Sequence, residues 1–201
     1  MQKNLDSKTK EQIERKGKEV EPEFVLLSEQ EQYYINLYRY FAKDGGEYNN
    51  EKGLLISGGV GTGKTLSMKV MQRIFGNFSV VSSRHIIREF MINGVKVIDE
   101  YGRFSFTTNQ HGNMDYNKPK HICFDDMLLE EANAKFYGNQ QNLMAEILLD
   151  RYDMFHRSKM ITYATTNSDM KTLEATYGVR VRDRVREMMN YIILTGNTFR
   201  K

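Results

Sequence analysis

The stretch GGVGTGKT, Gly58 to Thr65, decides the fold. It fits G-x-x-x-x-G-K-[ST]. It lies between a short apolar run, Leu54 to Ile56, and a helical segment, Lys64 to Phe75, with Val70, Met71 and Ile74 apolar. A strand, a glycine loop and a helix in this order form a phosphate-binding loop. Glycines let backbone N–H groups turn inward around phosphates, and the helix N-terminus adds the positive end of its dipole. Gly58, Gly59, Val60, Gly61, Thr62, Gly63 and Leu66 are therefore candidate nucleotide-binding residues. Lys64 reaches the β- and γ-phosphates and Thr65 ligates Mg2+, so ATP with Mg2+ is the expected ligand.

Outward from the loop, short apolar runs alternate with helical periodicity. Phe78–Val81, His121–Phe124, Met160–Ala164 and Tyr191–Leu194 read as strands. Ile86, Ile87, Phe90 and Met91 mark a helix ended by Gly94. Leu143 to Phe155 and Val181 to Met189 mark two more. Strands alternating with helices of this length predict βαβ units and a mostly parallel α/β sheet. Before the first strand, Ser28 and Glu31 make a capping-box pattern for a helix carrying Tyr34, Leu37, Tyr38 and Phe41, with Gly45 and Gly46 at its end.

A chain of 201 residues with 40% hydrophobic content fits one compact domain. The formal charge of +3, from 29 Lys and Arg against 26 Asp and Glu, permits nucleic-acid binding without arguing for it. One cysteine, Cys123, excludes an internal disulfide, and it forms no zinc spacing with the four histidines. The start, MQKNLDSK, lacks the apolar core of a signal peptide, and no apolar run approaches the roughly 18 residues of a membrane span. A cytoplasmic protein without a membrane partner is expected.

Three further motifs carry chemistry. In HICFDD an apolar strand delivers two carboxylates to the same sheet end as the glycine loop. Asp125 would hold Mg2+ and Asp126 would polarise an attacking water; as a structural pair they would only cap the next helix. In ITYATTN a strand ends at Asn167, which either caps a helix or orients the lytic water near the γ-phosphate. In YGVRVRDRVREM, Arg180 and Arg184 flank one side of an apolar stripe, and Arg182 and Arg186 the other. They are either solvated cations or the source of an arginine finger offered to a neighbouring subunit.

Two segments stay open. Residues 1–27 carry balanced charge and few apolar groups, which predicts a solvated, flexible tail or a segment that orders on a partner. Residues 99–118, DEYGRFSFTTNQHGNMDYNK, read as a long polar loop. Arg103, Phe104, Phe106, His111, Tyr116 and Lys118 mix cations and rings, which suits stacking on single-stranded bases or belongs to a mobile hairpin without a ligand.

Taken in order, KGLLISGGVGTGKT, HICFDD, LLDRY, TYATTN and YGVRVRDRVREM resemble the DnaC/IstB-like branch of AAA+ ATPases, the bacterial and phage helicase loaders, over residues 28–201. The resemblance implies an AAA+ P-loop core at 28–201 behind the tail at 1–27, with a five-stranded parallel sheet in the order 5-1-4-3-2 flanked by helices. It implies ATPase activity in DNA replication and ring or spiral self-assembly. Its partners would be a replicative hexameric helicase and single-stranded DNA. The alternative is an IstB-type transposition helper acting with a transposase on duplex DNA. By position, Asn167 resembles sensor 1, Arg184 the arginine finger, and Arg180 a second interface arginine. Arg200 stands where such chains end in a Ser-x-Arg element, but Thr198 replaces the serine. Three departures stand out: a short N-terminal region, one helix and a loop where loaders carry a helical insertion, and no C-terminal lid after the last strand.

Overall fold

The computed structural model describes the backbone of residues 2–127, 134–136 and 139–195, and the side chains of 7–127 and 142–195. Arg200 and Thr198 lie outside the described residues. The chain runs through α1 (Gln2–Val20), a 3-10 turn (Ser28–Gln30), α2 (Glu31–Ala42), β1 (Gly53–Gly58), α3 (Lys64–Phe75), β2 (Ser79–Ser82), α4 (Ser83–Asn93) and α5 (Lys96–Tyr101). It continues through β3 (Phe106–Thr108), β4 (Met114–Pro119), β5 (Ile122–Met127), β6 (Ala134–Phe136), β7 (Asn139–Gln141), α6 (Leu143–Ser158), β8 (Thr162–Thr166), α7 (Met170–Tyr177), α8 (Val179–Met188) and β9 (Met189–Leu194).

Strands β2, β5, β8, β1 and β9 pair in that order, all parallel. Numbered along the chain as five strands, the sheet reads 5-1-4-3-2 from the β9 edge, as expected. Parallel strands covered on both faces need continuous apolar runs. Alternation then divides each run between two cores. Leu55, Phe124 and Ala164 face one core with α4 to α8. Leu54, Ile56, Cys123 and Tyr163 face the other with α1, α2 and α3. Burial pushes the Cys123 thiol pKa well above its ordinary value, so it behaves as a small core residue.

Residues 2–20 differ from the tail expected of them. They form a helix whose buried Ile13 joins the core of α2 and α3. Lys, Glu and Gln are good helix formers, and local composition cannot show whether a partner surface exists. Here that surface is the chain's own. Arg73 Nε lies 2.7 Å from Glu19, Tyr38 donates to Gln12 at 2.9 Å, and Lys10 pairs with Glu31. The chain then folds back so that the ring of Phe24 lies against Gly17, where a Cβ would come within 2.1 Å of it. The Ser28 capping box is also not used. Ser28 opens the 3-10 turn, α2 starts at Glu31, and neither element has a side-chain cap at its N-terminus.

The interval between β2 and β5 holds two helices and a hairpin, where the sequence pattern predicts one helix and a loop. Asp99 belongs to α5, and β3 pairs antiparallel with β4. Asn109 builds the hairpin turn, accepting from the backbone of His111 at 2.9 Å and Asn113 at 3.0 Å. Short strands joined by polar turn residues leave a weak period-2 signal, which explains the difference.

Arg151 fastens this hairpin to the sheet. It is fully buried, and its guanidinium donates to Tyr101 O at 3.0 Å, Lys120 O at 3.0 Å, Ile161 O at 2.9 Å and Thr162 Oγ1 at 2.7 Å. One side chain thus binds the chain just before β3, just after β4 and at the entry of β8. Burial lowers its pKa to about 9, and it remains a cation at neutral pH. Nearby, His121 Nδ1 accepts from Ile161 N at 3.0 Å, which needs an unprotonated nitrogen.

Arg151→Met should leave three carbonyls and a hydroxyl without their donor and lower unfolding free energy by about 3 kcal/mol or more, read by urea denaturation. Burial first, then the Arg151 charge, holds the His121 pKa below its ordinary 6.5. The unfolded state therefore takes up the proton first, and this group costs nothing above 6.5. Stability should fall as pH drops below 6.5 towards the folded pKa, levelling off beneath it. In His121→Asn that part of the pH dependence should be missing from unfolding curves taken between pH 7.5 and 5.

Candidate functional site

All five sheet strands run the same way, so the loops leaving β1, β5 and β8 meet at one edge. The loop after β1 turns through Gly61 at φ 82° and Gly63 at φ 89°, conformations that favour glycine, and Lys64 opens α3. Gly58 has a different role. A Cβ there would lie 2.4 Å from Leu194 O, so the end of β1 is bare because β9 runs against it. Thr62 Oγ1 closes the loop on Gly59 O at 2.9 Å.

Lys64 is buried, and its ammonium points back into the loop. Nζ donates to Gly58 O at 2.9 Å, to Gly59 O at 2.7 Å and to Asn167 Oδ1 at 2.6 Å. Asn167 thus meets the loop lysine, and the cap of α7 belongs to Asp169, which accepts from Thr172 N at 2.8 Å. Thr65 Oγ1 donates to Asp125 Oδ1 at 2.8 Å. A hydroxyl and a carboxylate this close form a hard-oxygen pair of the kind Mg2+ binds alongside substrate phosphates. Among the described residues no group of three or more His, Cys, Asp or Glu forms a metal site, so such an ion would depend on phosphate oxygens for further ligands.

Asp125 and Asp126 follow each other on β5 yet both belong to this edge. The ladder with β8 pairs Phe124 with Ala164 and then Met127 with Thr166, so the two acids stand opposite the single residue Thr165. This is a bulge, and Asp126 sits in it at φ 57°. Asp126 N donates to Thr165 Oγ1 at 2.9 Å, and Thr165 Oγ1 donates to Asp125 Oδ1 at 2.7 Å. Ser83 Oγ holds the Asp125 carbonyl at 3.0 Å.

The loop, Asp126 and Asn167 open on a cleft of about 900 Å³, behind which Asp125 and Thr165 are buried. Lys64, Thr65, Asp126 and Asn167 line one side with Val60, Gly61, Gly63 and Leu66. Val20, Phe24, Val25 and Leu27, together with Tyr34, line the other. The foldback after α1 is therefore a wall of the site. Nothing in its local pattern reveals this, because the segment reaches the cleft only through Ile13 and Phe24 packing on α2 and α3. Thr165 was equally hidden, as one more small residue at a strand end.

The arginines lie elsewhere. Val181, Val185 and Met188 of α8 bury into the core shared with α6 and α7, on the sheet face opposite α3. Arg184 is partly exposed. Its guanidinium sits 4.3 Å from the Tyr152 ring centroid, with Nη1 2.8 Å from Tyr152 Oη and 3.5 Å from Glu187. Arg182 pairs with Asp183 at 2.8 Å and Glu174 at 3.1 Å. Arg180 and Arg186 are exposed. None of the four lines the cleft. In the hairpin, Phe106 is buried, Arg103 is held by Asp99 at 2.7 Å, and Phe104 and Tyr116 are exposed. No helix among the described residues is long and apolar enough to cross a membrane.

No protein-family model matches the chain, and no curated protein matches it in sequence. The fold is nevertheless shared with solved structures, among them DnaI and the DnaC helicase loader. The crystal structure of DnaI aligns with TM-score 0.58 over 89% of this chain and 89% of that one, at 20% identity. The DnaC helicase loader aligns with TM-score 0.53 over 86% of this chain and 94% of that one, at 16% identity. AMPPCP-bound DnaA from Aquifex aeolicus aligns with TM-score 0.54 over 85% of this chain and 48% of that one, at 18% identity.

Gly58→Ala should push β9 away from the end of β1 and lower unfolding free energy by about 1–3 kcal/mol. Thermal unfolding without nucleotide checks this, separating the glycine's packing role from ligand binding.

Proposed function

We propose that this chain binds and hydrolyses ATP and acts in DNA replication as a helicase loader, positioning a hexameric replicative helicase on single-stranded DNA. The observation that carries the reading is the meeting of Lys64, Thr65, Asp126 and Asn167 at one cleft, with Asp125 bonded to Thr65 behind it, on a fold shared with DnaI and DnaC.

Each residue then has a task. The loop backbone and the N-terminus of α3 receive the phosphates. Lys64 lies within reach of the loop and of Asn167, so phosphate oxygens compete for an ammonium that now bonds carbonyls. Thr65 and Asp125 would hold Mg2+, which would supply positive charge to stabilise the phosphates. Asp126 accepts a proton from the attacking water, and Asn167 orients that water or reads the γ-phosphate. The apolar wall from Val25 and Leu27 takes the base. These wall residues are exposed to solvent in the open cleft.

Charge developing on the transferred phosphoryl group needs a further cation. Arg184 or Arg180 supplies it to a neighbouring copy in a ring or spiral. Both sit on α8, away from their own cleft, so an action in trans fits them better than one in cis.

Lys64→Ala should lose tight nucleotide binding and turnover. Arg184→Ala should bind nucleotide as wild type does but turn over about 10³-fold more slowly under assembly conditions. Mixing the two variants should restore part of the turnover, because one supplies the arginine and the other the intact loop. A wild-type rate for Arg184→Ala would remove it from the site and leave Arg180. The chain, with ATP, should retain a hexameric helicase from its host; recovery of a transposase instead would favour the transposition helper.

A further inference from the structure

We propose that Thr165 is a positioning residue that sets the relative orientation of the two acids, and with it the Mg2+ affinity and turnover of the site. The inference rests on the ATPase reading for its functional consequence, but its structural content stands on geometry alone.

The bulge poses a problem. In a regular strand, successive side chains point to opposite faces, so adjacent aspartates could not serve one edge. The extra residue on β5 re-aims one of them, and this requires Asp126 at φ 57°. That conformation is uncommon outside glycine and persists only where its surroundings hold it. The bulge also displaces Asp126 N from the regular ladder. Thr165 meets both needs with one atom. Its Oγ1 accepts from Asp126 N at 2.9 Å and donates to Asp125 Oδ1 at 2.7 Å. The donated bond turns Asp125 so that the same Oδ1 also meets Thr65 Oγ1 at 2.8 Å. Thr165 is fully buried, so no solvent replaces either bond. Neither contact is available to a β-branched side chain without a hydroxyl.

Thr165→Val keeps the volume and the branching and removes the hydroxyl. Thr165→Ser keeps the hydroxyl and loses a methyl. In Thr165→Val, the Mg2+ concentration that half-saturates Mg2+-dependent binding of a fluorescent ATP analogue should rise about 10- to 100-fold, the range seen when groups that orient metal ligands are removed. Binding of the analogue without Mg2+ should stay within about twofold of wild type, because the loop and Lys64 are untouched. The kcat should fall about tenfold or more with KM for ATP little changed, and Thr165→Ser should restore both. Mg2+ dependence and kcat within about twofold of wild type in Thr165→Val would overturn the proposal, as would equal loss in Thr165→Ser. If the valine variant does not fold, Thr165→Cys, a similar volume with a weaker donor, takes its place in each comparison.

A crystal structure or backbone NMR of Thr165→Val separates this from failure of the ATPase reading. A return of Asp126 to negative φ, or a rotation of Asp125 away from Thr65, supports the positioning role even if wild type proves unable to bind ATP. An unchanged bulge with unchanged carboxylates overturns it whatever the activity.

Discussion

The site depends on the interposition of β8 between β1 and β5. Neighbouring strands lie about 4.8 Å apart, so one intervening strand separates the backbones of β1 and β5 by roughly 10 Å. Thr65, at the end of the loop, spans that separation and donates to Asp125 at 2.8 Å. The same order makes β8 the only strand that touches both. Asn167, just past its end, reaches Lys64, and Thr165 reaches Asp125 and Asp126. Were β5 paired directly with β1, neither bridge could form.

The rest of the architecture keeps these strand ends in register. Two cores grip the sheet, one beneath α1 to α3 and one beneath α4 to α8. The first carries the helix that follows the glycine loop and brings the foldback of residues 20–27 to the cleft. The second carries α8 and its arginines to the opposite face. Arg151 ties the second layer to the sheet through three backbone carbonyls and the Thr162 hydroxyl, at the foot of the β3–β4 hairpin. A buried guanidinium bound this way is costly to remove because four acceptors lose their donor at once.

The bonds of Thr165 connect stability to the proposed chemistry. Asp126 holds a backbone conformation that costs energy, and the hydrogen bonds of Thr165 maintain it where Asp126 lines the cleft and Asp125 meets Thr65. The strain lies in the strand, while the loop beside it uses glycines that accept positive φ freely. On the foldback wall across the cleft, Val25 and Leu27 stay exposed.

What the sequence alone determined was local: the glycine loop and the acid pair, legible as contiguous motifs, and the apolar runs of the core strands and the apolar stripe of α8, legible from local hydrophobic pattern. Order in the sheet followed from resemblance, not from any pattern in the chain, because pairing joins residues distant in sequence. Only the tertiary structure decided the rest. It turned a charged N-terminal stretch into a docked helix, since whether a polar helix forms depends on a surface found elsewhere in the chain. It made Asn167 a partner of Lys64 instead of a helix cap. It set two adjacent acids against one threonine, because a bulge belongs to the pairing of two strands and not to either strand's own sequence.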